Sequence, residues 1–486
     1  MRGSNYRRSN RAGMSRQPTQ IDSPGIVRID AGAVLDAAAA AASPGSILIE
    51  VLAHPCAGGT GRPIWRARTL AAGRTADILH HPAAQSPATR VISRPNAILV
   101  PGFVNAHTHL DLTHIGPRPH DPQAGFVSWV DMIRRERRHT PEEIASSVRQ
   151  GIALSMAAGT VAVGDIAGAP GGRICTVPWQ TLLPSGLFGV SYLEFFGIGR
   201  TATSTLAALT AILSEVGGEA AQTHPVRLGL QPHAPNTVSR RLFADAARLA
   251  AALPGAPLAT HLAETPEERR FVAEASGPQR ELLERLGVWD DSILEDVGQA
   301  RHPIEHLQEV LTRHLFTVAH VNDLGDQLPL LGRTKARVVY CPRASAYFEA
   351  ERHFGPHQYR EMINAGITVA LGTDSIVNLP AEAALLPARG GRGMSILDEM
   401  RFLYQRDATD PRVLLRMGTI AGADALGLDG GAFTFAAGAP LAGLVAVEAD
   451  PIRPGAPQEI AKALLGGSPR EVELLFPGMS YGLTAK

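Results

Sequence analysis

Apolar and polar residues follow two different patterns along this chain. From about residue 97, short apolar runs alternate with longer segments in which apolar residues recur every three or four positions. This alternation is typical of βαβ units, in which helices connect the parallel strands of one sheet. Eight parallel strands with intervening helices predict a closed (β/α)8 barrel of the TIM type. The eight predicted strands are Ile98–Asn105, Thr160–Asp165, Gly189–Phe195, Val226–Gln231, Pro257–His261, Leu315–His320, Arg337–Tyr340 and Ile367–Gly372.

Two of the predicted helices begin with the same signal. Thr140–Glu143 and Thr265–Glu268 both read Thr-Pro-Glu-Glu. A capping threonine, a proline at the first helical position and a glutamate three residues after the cap together indicate a helix N-terminus. After the eighth strand, further helical patterns occur near Leu397–Gln405 and Pro411–Leu426.

The pattern differs on both sides of the predicted barrel. Short β-like pieces precede it at Ser46–Leu52, Ile64–Leu70 and Thr89–Ile92, and Gly438–Ala449 again has the pattern of short strands. Strand-like segments at both ends favour a small β-sandwich domain that both termini build beside the barrel. We therefore predict an α/β protein with a disordered basic tail at 1–25, the first part of the small domain at 26–96, the barrel at 97–430, and the second part of the small domain with a tail at 431–486.

Composition and charge narrow the classes of function. The 486 residues include 46 basic and 46 acidic side chains, so no nucleic-acid or membrane-surface partner is expected. The arginine-rich N-terminus lacks the apolar run of a signal peptide, and no apolar run reaches the roughly 18 residues of a membrane span. Three widely separated cysteines do not form a disulfide framework. A soluble, cytoplasmic protein is expected.

Polar residues concentrate at the ends of the predicted strands, where active sites of parallel barrels lie. His107 and His109 occupy positions i and i+2, so both imidazoles can reach one ion. Alone, this triplet is more often a pair of surface histidines. Together with His261 and Asp374, it offers three nitrogens and one oxygen, a set suited to zinc or ferrous iron with one position left for water. These four residues, the metal set, predict a bound divalent cation, with zinc favoured.

Three further residues at strand ends suit catalysis or substrate binding. Glu264, three residues after the ligand on the fifth strand, is placed for a general base that later acts as an acid; the alternative is an ordinary glutamate at a helix start. His320 would donate to a developing hydroxyl or oxyanion, the alternative being a satisfied buried histidine. His233 lies between Pro232 and Pro235 in a stiff loop, where we expect it to contact substrate.

Two zinc motifs of other enzyme classes do not apply. His302–His306 spells HxxEH, an inverted zinc-protease motif that requires both histidines on one helix face. Pro303 is tolerated only in the first turn of a helix, which argues against that motif. The H-x-E and P-C-x-x-C pair of cytidine-deaminase-type sites is absent from the sequence.

The segments that hold these residues resemble the amidohydrolase superfamily, in its branch of cytosine/guanine deaminases and chlorohydrolases. The resemblance covers about residues 95 to 450, and the combination of motifs is highly specific. The matching segments are PGFVNAHTH at 101–109, QPHAPNTVS at 231–239, HLAET at 261–265, CPR at 341–343, LGTDS at 371–375 and TIAGADALGL at 419–428.

This resemblance implies a role for each predicted site residue. The metal set would bind one metal, and Asp374 would also take a proton from the metal water. Glu264 would shuttle protons, His320 would polarise the reacting group, and His233 would contact the substrate. Members with two metals usually bridge them with a carboxylated lysine at the end of strand four. The first lysine of this chain is Lys335, so a single metal is predicted.

Two more segments, Gly125–Val130 and Tyr340–Phe348, resemble the aminodeoxyfutalosine- and adenosine-type deaminases of this branch. Trp129 would cover a purine at the barrel mouth, although core packing explains it equally well. Glu194 and Arg200, after the third strand, would meet ribose or other polar groups. The expected reaction is hydrolytic deamination of an adenine-bearing nucleoside derivative, with release of ammonia. The expected partner is this small, purine-like substrate, and a homodimer is one arrangement that stays open.

Three alternatives remain at this point. Guanine deamination and ring-amide opening, as in imidazolonepropionase-like hydrolases, would belong to the same enzyme class, and ammonia release from a panel of purines distinguishes them. A non-catalytic barrel that serves as a binding module predicts lost ligands. Every expected ligand is present in the sequence.

Overall fold

A computed structural model describes residues 21, 23–54, 64–216, 218–253, 255–386, 391–450, 457–467 and 471–476 of the chain. Residues 1–20 and 22, which make up most of the predicted basic tail, lie outside the described residues. Residues 477–486, at the end of the predicted second part of the small domain, also lie outside them.

The described residues form two separate sheets, one of seven strands and one of eight. In chain order the strands are β1 (Gly25–Leu35), β2 (Ala41–Ala42), β3 (Gly45–His54), β4 (Ile64–Arg74), β5 (Arg90–Pro101), β6 (Phe103–Thr108), β7 (Thr160–Ala167), β8 (Phe188–Phe195), β9 (Val226–Pro232), β10 (Leu258–Leu262), β11 (Phe316–His320), β12 (Arg337–Tyr340), β13 (Val369–Leu371), β14 (Leu444–Glu448) and β15 (Val472–Phe476).

The eight-stranded sheet is the predicted barrel. Its strands run parallel in chain order from β6 to β13, and each pairs with the next. A parallel bridge between Thr108 and Asp374 joins the two ends of this sheet. The Asp374 N–H donates to the His107 carbonyl at 3.1 Å, which supports the closure. The predicted fold class is therefore confirmed.

Burial explains why the barrel strands were visible in the sequence. Every residue of β7 and of β8 is buried. Strands of a parallel sheet are covered by helices on one face and by the barrel interior on the other, so they are apolar almost throughout. The predicted strands from residue 160 onward are confirmed within a few residues at each end.

The first predicted strand, Ile98–Asn105, was wrong because it combined two strands. Residues 98–101 end β5, which belongs to the seven-stranded sheet, and β6 begins the barrel at Phe103. Gly102 separates them at a close approach, where an added Cβ would lie 2.4 Å from the Val161 side chain. Both strands are apolar at this junction, so the sequence pattern has no break there.

The seven-stranded sheet contains strands from both flanks of the barrel. Its order is β15-β14-β5-β1-β3-β4, with β2 paired to β1, and only the β1–β5 pair is parallel. A separate sheet from both flanks is therefore confirmed. The sequence prediction omitted β1, although its buried residues alternate regularly.

Most helices of the described residues connect consecutive barrel strands or follow the last one, whereas the first helix lies between β4 and β5 and the last lies between β14 and β15. The helices are α1 (Thr75–Leu79), α2 (Gly125–Glu136), α3 (Pro141–Ala157), α4 (Val177–Leu182), α5 (Ala202–Val216), α6 (Glu219–Thr223), α7 (Arg240–Ala252), α8 (Pro266–Glu274), α9 (Pro278–Arg285), α10 (Pro303–Arg313), α11 (Leu328–Leu331), α12 (Pro342–Tyr347), α13 (Ala350–Phe354), α14 (Tyr359–Asn364), α15 (Ile396–Asp407), α16 (Pro411–Met417), α17 (Ile420–Ala425) and α18 (Pro457–Gly466).

Both Thr-Pro-Glu-Glu signals begin helices as predicted. The Thr140 side chain accepts from the N–H of the third residue of α3, and Thr265 does the same for α8. The helix predicted at 411–426 is interrupted at Gly418 and Thr419, between α16 and α17. None of the described helices has the length and apolar character that a membrane crossing requires.

Candidate metal centre

The metal set converges at the carboxyl end of the barrel. His107 lies on β6, His109 follows that strand, His261 lies on β10, and Asp374 follows β13. Asp374 Oδ1 lies 3.5 Å from His107 Nε2 and 3.3 Å from His109 Nε2. Nitrogen atoms of the three histidines lie within 4.8 Å of one another. The structure thus brings together four residues that are up to 267 positions apart.

Closure of the barrel places Asp374 beside the two histidines. The His109 N–H donates to the Asp374 carbonyl at 3.4 Å, next to the hydrogen bond between Asp374 and His107. Asn105 and Thr373 add two further hydrogen bonds between the same strand ends, at 2.8 and 3.0 Å. Asp374 adopts a left-handed backbone with φ of 55°, which is uncommon for a residue other than glycine. The Asn378 amide donates to Asp374 Oδ2 at 2.6 Å and orients the carboxylate.

The donor atoms of the metal set fit a divalent cation. His107 Nε2 is buried and has no hydrogen-bond partner of good geometry among the described residues. His261 Nδ1 lies 3.0 Å from the His233 carbonyl, so it carries the ring proton and leaves Nε2 free to bind a metal. A buried nitrogen without a partner is costly unless a ligand satisfies it. Three imidazoles and one carboxylate are a common ligand set for zinc.

The protonation states of His261 and Asp374 also suit a cation. Burial lowers the pKa of His261 well below its ordinary value, so the ring is neutral. Burial works to raise the pKa of Asp374, but its close contacts with the His107 and His109 rings outweigh that effect, and the pKa lies well below its ordinary value. Neutral imidazoles and an ionised carboxylate are the forms that bind metal.

Glu264 and His320 face each other beside the metal set. Glu264 Oε1 lies 3.5 Å from His320 Nε2, and both side chains are largely buried. Burial raises the pKa of Glu264 well above its ordinary value, and the charge of Asp374 adds to that effect. Burial lowers the pKa of His320 to about 3. The pair therefore combines a carboxyl group that tends to hold a proton with a neutral imidazole.

The segments that follow β10 and β11 are hydrogen-bonded to each other, and these bonds hold Glu264 and His320 in place. The Val321 N–H donates to Leu262, and the Asp323 N–H donates to Ala263, both at 2.9 Å. Ala263, His320 and Val321 all have positive φ, the left-handed region. The Glu268 carboxylate accepts from the N–H groups of residues 263 and 264 at 2.8 and 2.7 Å. Left-handed backbone of this kind costs about 1–3 kcal/mol per residue and persists where surrounding contacts hold it.

Two predicted substrate contacts lie on the other side of His261. Glu194 is buried at the end of β8, and its Oε1 lies 4.0 Å from His233 Nε2. The His233 ring lies 4.8 Å from the His261 ring, and its Nδ1 is 2.7 Å from Thr237 Oγ1. Burial lowers the pKa of His233 to about 4, so its ring is neutral.

Sequence reasoning missed Arg137, which follows α2. Its Nε lies 3.1 Å from Asp111 Oδ2, and its Nη1 lies 3.7 Å from Glu194 Oε2, with all three side chains nearly buried. A Cβ on Gly168 would lie 2.2 Å from the Arg137 guanidinium, so a side chain at this position would displace the guanidinium. Arg137 lies within a run of charged residues, 134–138, that is typical of a solvated helix face. The pattern therefore gave no signal for an arginine buried beside the site.

The two remaining predicted contacts are less directly connected to the metal set. Trp129 on α2 is half-buried and packs against Phe126 and Phe348, with ring centroids 5.6 and 5.2 Å away. These rings join the segment after β6 to the segment after β12, at the same end of the barrel as the metal set. Arg200 is exposed in a 3-10 helix at Gly199–Thr201, and it makes no hydrogen bond or ion pair with the described site residues.

Comparisons with known proteins give consistent results. A model of the amidohydrolase family matches residues 98–463. An aminodeoxyfutalosine deaminase of Deinococcus radiodurans is 29% identical over 69% of this chain and 74% of its own length. A 5-methylthioadenosine/S-adenosylhomocysteine deaminase of Moorella thermoacetica is 28% identical over 73% and 75%.

Solved structures share the fold. The aminofutalosine deaminase of Helicobacter pylori superposes with a TM-score of 0.68 at 18% identity, over 94% of this chain and 99% of that one. An adenosine deaminase of Xanthomonas campestris with bound zinc superposes with a TM-score of 0.63 at 21% identity, over 92% and 90%.

Proposed function

The chain belongs to the amidohydrolase family, and from that membership we propose that it hydrolytically deaminates an adenine-bearing nucleoside derivative. The observation that carries the proposal is the convergence of the metal set beside Glu264 and His320. The named activities of the Deinococcus and Moorella relatives support the substrate class. Among adenine nucleosides, we propose an aminodeoxyfutalosine- or adenosine-like substrate.

We propose that the metal set holds one divalent cation, with zinc as the first choice. The chemistry of the donor atoms and the zinc in the Xanthomonas structure support this proposal. When bound, such a cation supplies Lewis acidity that brings the pKa of water toward neutrality. Asn378 and the His233 carbonyl would orient the carboxylate and the His261 ring from outside the metal set.

Glu264 is the proposed proton shuttle. Its carboxyl pKa, raised by burial, suits a group that must both accept and donate a proton near neutral pH. Glu264 takes a proton from the attacking water and delivers it to the ring nitrogen beside the amino-bearing carbon. The hydroxyl of the resulting tetrahedral carbon then gives its proton to the amino group. The C–N bond breaks, ammonia leaves, and a carbonyl remains on the ring. His320, whose Nε2 is buried without a hydrogen-bond partner of good geometry, polarises the attacking group.

We propose that the substrate lies between the metal set on one side and Glu194, His233 and Trp129 on the other. Glu194 and His233 would bind polar groups of the nucleoside, because Glu194 Oε1 and His233 Nε2 lie 4.0 Å apart, too far to hydrogen-bond with each other. Trp129 would cover the purine ring. Its contact with Phe348, which joins the segments after β6 and β12, would hold it in place. Arg200 would meet more distant polar groups of a longer substrate.

Ammonia release from a defined panel tests this proposal. The panel contains adenosine, 5-methylthioadenosine, S-adenosylhomocysteine and aminodeoxyfutalosine, with guanine and imidazolonepropionate as alternatives of the same class. We expect zinc-loaded protein to release one ammonia per molecule from at least one adenine nucleoside. Ammonia release from guanine alone would contradict the proposal, and so would opening of the imidazolonepropionate ring alone, which releases no ammonia and is followed by ultraviolet absorbance. So would a fully loaded protein that hydrolyses none of these compounds.

A further inference from the structure

The backbone of His320 adopts a conformation that requires support. Its φ is +75°, and the φ of the next residue, Val321, is +52°. Left-handed backbone is uncommon outside glycine and is an outlier for a β-branched residue such as valine. Two such residues in succession persist only where neighbouring contacts hold them. The hydrogen bond from Val321 to Leu262 supplies one such contact, and the His320 carbonyl needs another.

His357 supplies that second contact. Its Nε2 lies 2.9 Å from the His320 carbonyl oxygen, and the residue is buried in the segment that connects α13 to α14. Burial lowers the pKa of His357 to about 4, so the ring is neutral and carries a single proton. For the contact to be a hydrogen bond, that proton must be on Nε2.

The His357 ring is itself held in place. It stacks on Tyr340 with ring centroids 3.6 Å apart and an interplanar angle of 14°. Tyr340 ends β12, and Arg406 on α15 donates to its hydroxyl at 3.2 Å. A chain of direct contacts therefore runs from α15 through two stacked rings to the backbone of His320.

Filling space does not explain a histidine at this position. Its Nδ1 is buried without a hydrogen-bond partner among the described residues. Both ring nitrogens therefore lose their contact with water, and only Nε2 gains a hydrogen bond in return. A phenylalanine would stack on Tyr340 without that cost. The donor atom is thus the property that distinguishes histidine from an apolar ring here.

We propose that His357 is a positioning residue, which holds His320 in its left-handed conformation by donating the Nε2 proton to the His320 carbonyl. The His320 ring then stays 3.5 Å from Glu264 Oε1. This inference rests on the proposed function only where it concerns turnover. The positioning itself is a property of the fold.

Two substitutions separate the donor from the ring. His357→Phe keeps the stacked ring and removes the donor, and we expect kcat to fall about 10- to 100-fold with KM changed less than about threefold. His357→Gln offers an amide donor near the position of Nε2, and we expect it to recover most of kcat. The matched control is His306→Phe, at a buried histidine of α10 outside the site, which we expect to keep kcat within about twofold.

The outcomes distinguish the positioning role from a merely structural one. A folded, metal-loaded His357→Phe protein with kcat within about twofold of wild type overturns the proposal, as does a fall that His306→Phe reproduces. If the wild type releases no ammonia, the proposed function fails, and the crystal structure of His357→Phe decides the positioning role alone. We expect His320 to leave the left-handed region or its ring to move in that structure, and an unchanged His320 overturns the proposal.

A measurement on the wild type covers the case in which His357→Phe does not fold. Neutron diffraction locates the exchangeable proton of the His357 ring directly. We expect it on Nε2, between the ring and the His320 carbonyl. A proton on Nδ1 alone overturns the proposal.

Discussion

Glu264 and His320 have pKa values displaced in opposite directions, although their side chains lie 3.5 Å apart. Burial favours the uncharged form of each, which raises the pKa of the carboxyl and lowers that of the imidazole to about 3. Pairs of titratable groups with displaced pKa values are a frequent property of acid–base sites. Here the pair adjoins the metal set, so we assign proton transfer to Glu264 and polarisation to His320.

Replacing Glu264 removes the proposed proton shuttle. We expect Glu264→Gln to lower kcat by about 10²- to 10⁴-fold while the metal content stays at the wild-type level, because Glu264 is not in the metal set. Kinetics of ammonia release and elemental analysis of the same preparation measure both quantities. The matched control is Glu274→Gln at the exposed end of α8, which should leave kcat unchanged. Normal turnover by Glu264→Gln would rule out the assigned role.

Arg137 neutralises two buried carboxylates, Asp111 and Glu194. Arg137→Met leaves both without their cation, and we expect the free energy of unfolding to fall by about 3–5 kcal/mol. We also expect KM to rise, since Glu194 is a proposed substrate contact. Arg134→Met, on the exposed part of α2, should cost less than about 1 kcal/mol. Denaturant titrations of both variants check the difference, and equal losses would contradict the account.

Residues of the metal set, and Glu264 beside it, were predictable because short local motifs carry them. His107 and His109 are two positions apart, and Glu264 is three from His261, so each spacing indicates a geometry on one strand end. The site of Arg137 depends on space left by Gly168 and on carboxylates from two other segments. Such a tertiary arrangement leaves no periodic signal in the sequence.

Two helices of the barrel begin with the same capped sequence, yet their surroundings differ. Thr140 is exposed, whereas Thr265 is buried directly after Glu264. We expect Thr140→Ala to lower the free energy of unfolding by about 1 kcal/mol and to leave kcat within about twofold of wild type.

Thr265→Ala should cost a similar free energy of unfolding, about 1 kcal/mol, but also reduce kcat by about tenfold, because α8 fixes the backbone of Glu264 through Glu268. Denaturant titration and ammonia release, measured on both variants, make this comparison. Equal effects of the two substitutions on kcat would contradict a role for the α8 N-terminus in the site.

The sequence predicts the end of a strand where buried residues give way to exposed ones, and it does not predict the end where one buried strand follows another. Every residue of β7 and β8 is buried, and the prediction found both strands. At residues 98–105 two strands of different sheets follow each other with only Gly102 between them, and all of them are buried. Periodicity alone cannot separate two buried strands that lack a polar turn.

At the scale of the whole molecule, buried histidines couple stability to pH. Burial lowers the pKa of His306 to about 3, while an unfolded histidine titrates near its ordinary value of 6.5. Between these values the unfolded chain binds more protons, so His306 makes the free energy of unfolding fall as the pH falls from about 6.5 toward 3.

His306→Phe should therefore flatten the pH dependence of stability. We expect the slope between pH 4 and 6 to decrease by up to about 1.4 kcal/mol per pH unit, the value for one proton. Buried carboxyls with raised pKa values, such as Glu268 at about 7, make the free energy of unfolding rise as the pH falls. Their contribution is the same in the wild type and in His306→Phe, so it cancels when the two slopes are compared. Unfolding titrations of both proteins across this range measure the slopes, and identical slopes would show that His306 titrates normally in the fold.

The metal set lies where the barrel closes, because the bridge between Thr108 and Asp374 joins the first and last strands of the barrel. Zinc-edge anomalous diffraction from crystals of the zinc-loaded protein tests this centre most directly. We predict one anomalous peak per chain, about 2.0–2.2 Å from imidazole nitrogens of His107, His109 and His261 and from an Asp374 carboxylate oxygen. A peak bound by other side chains would contradict the account, and so would catalytically active crystals with no peak between these four residues.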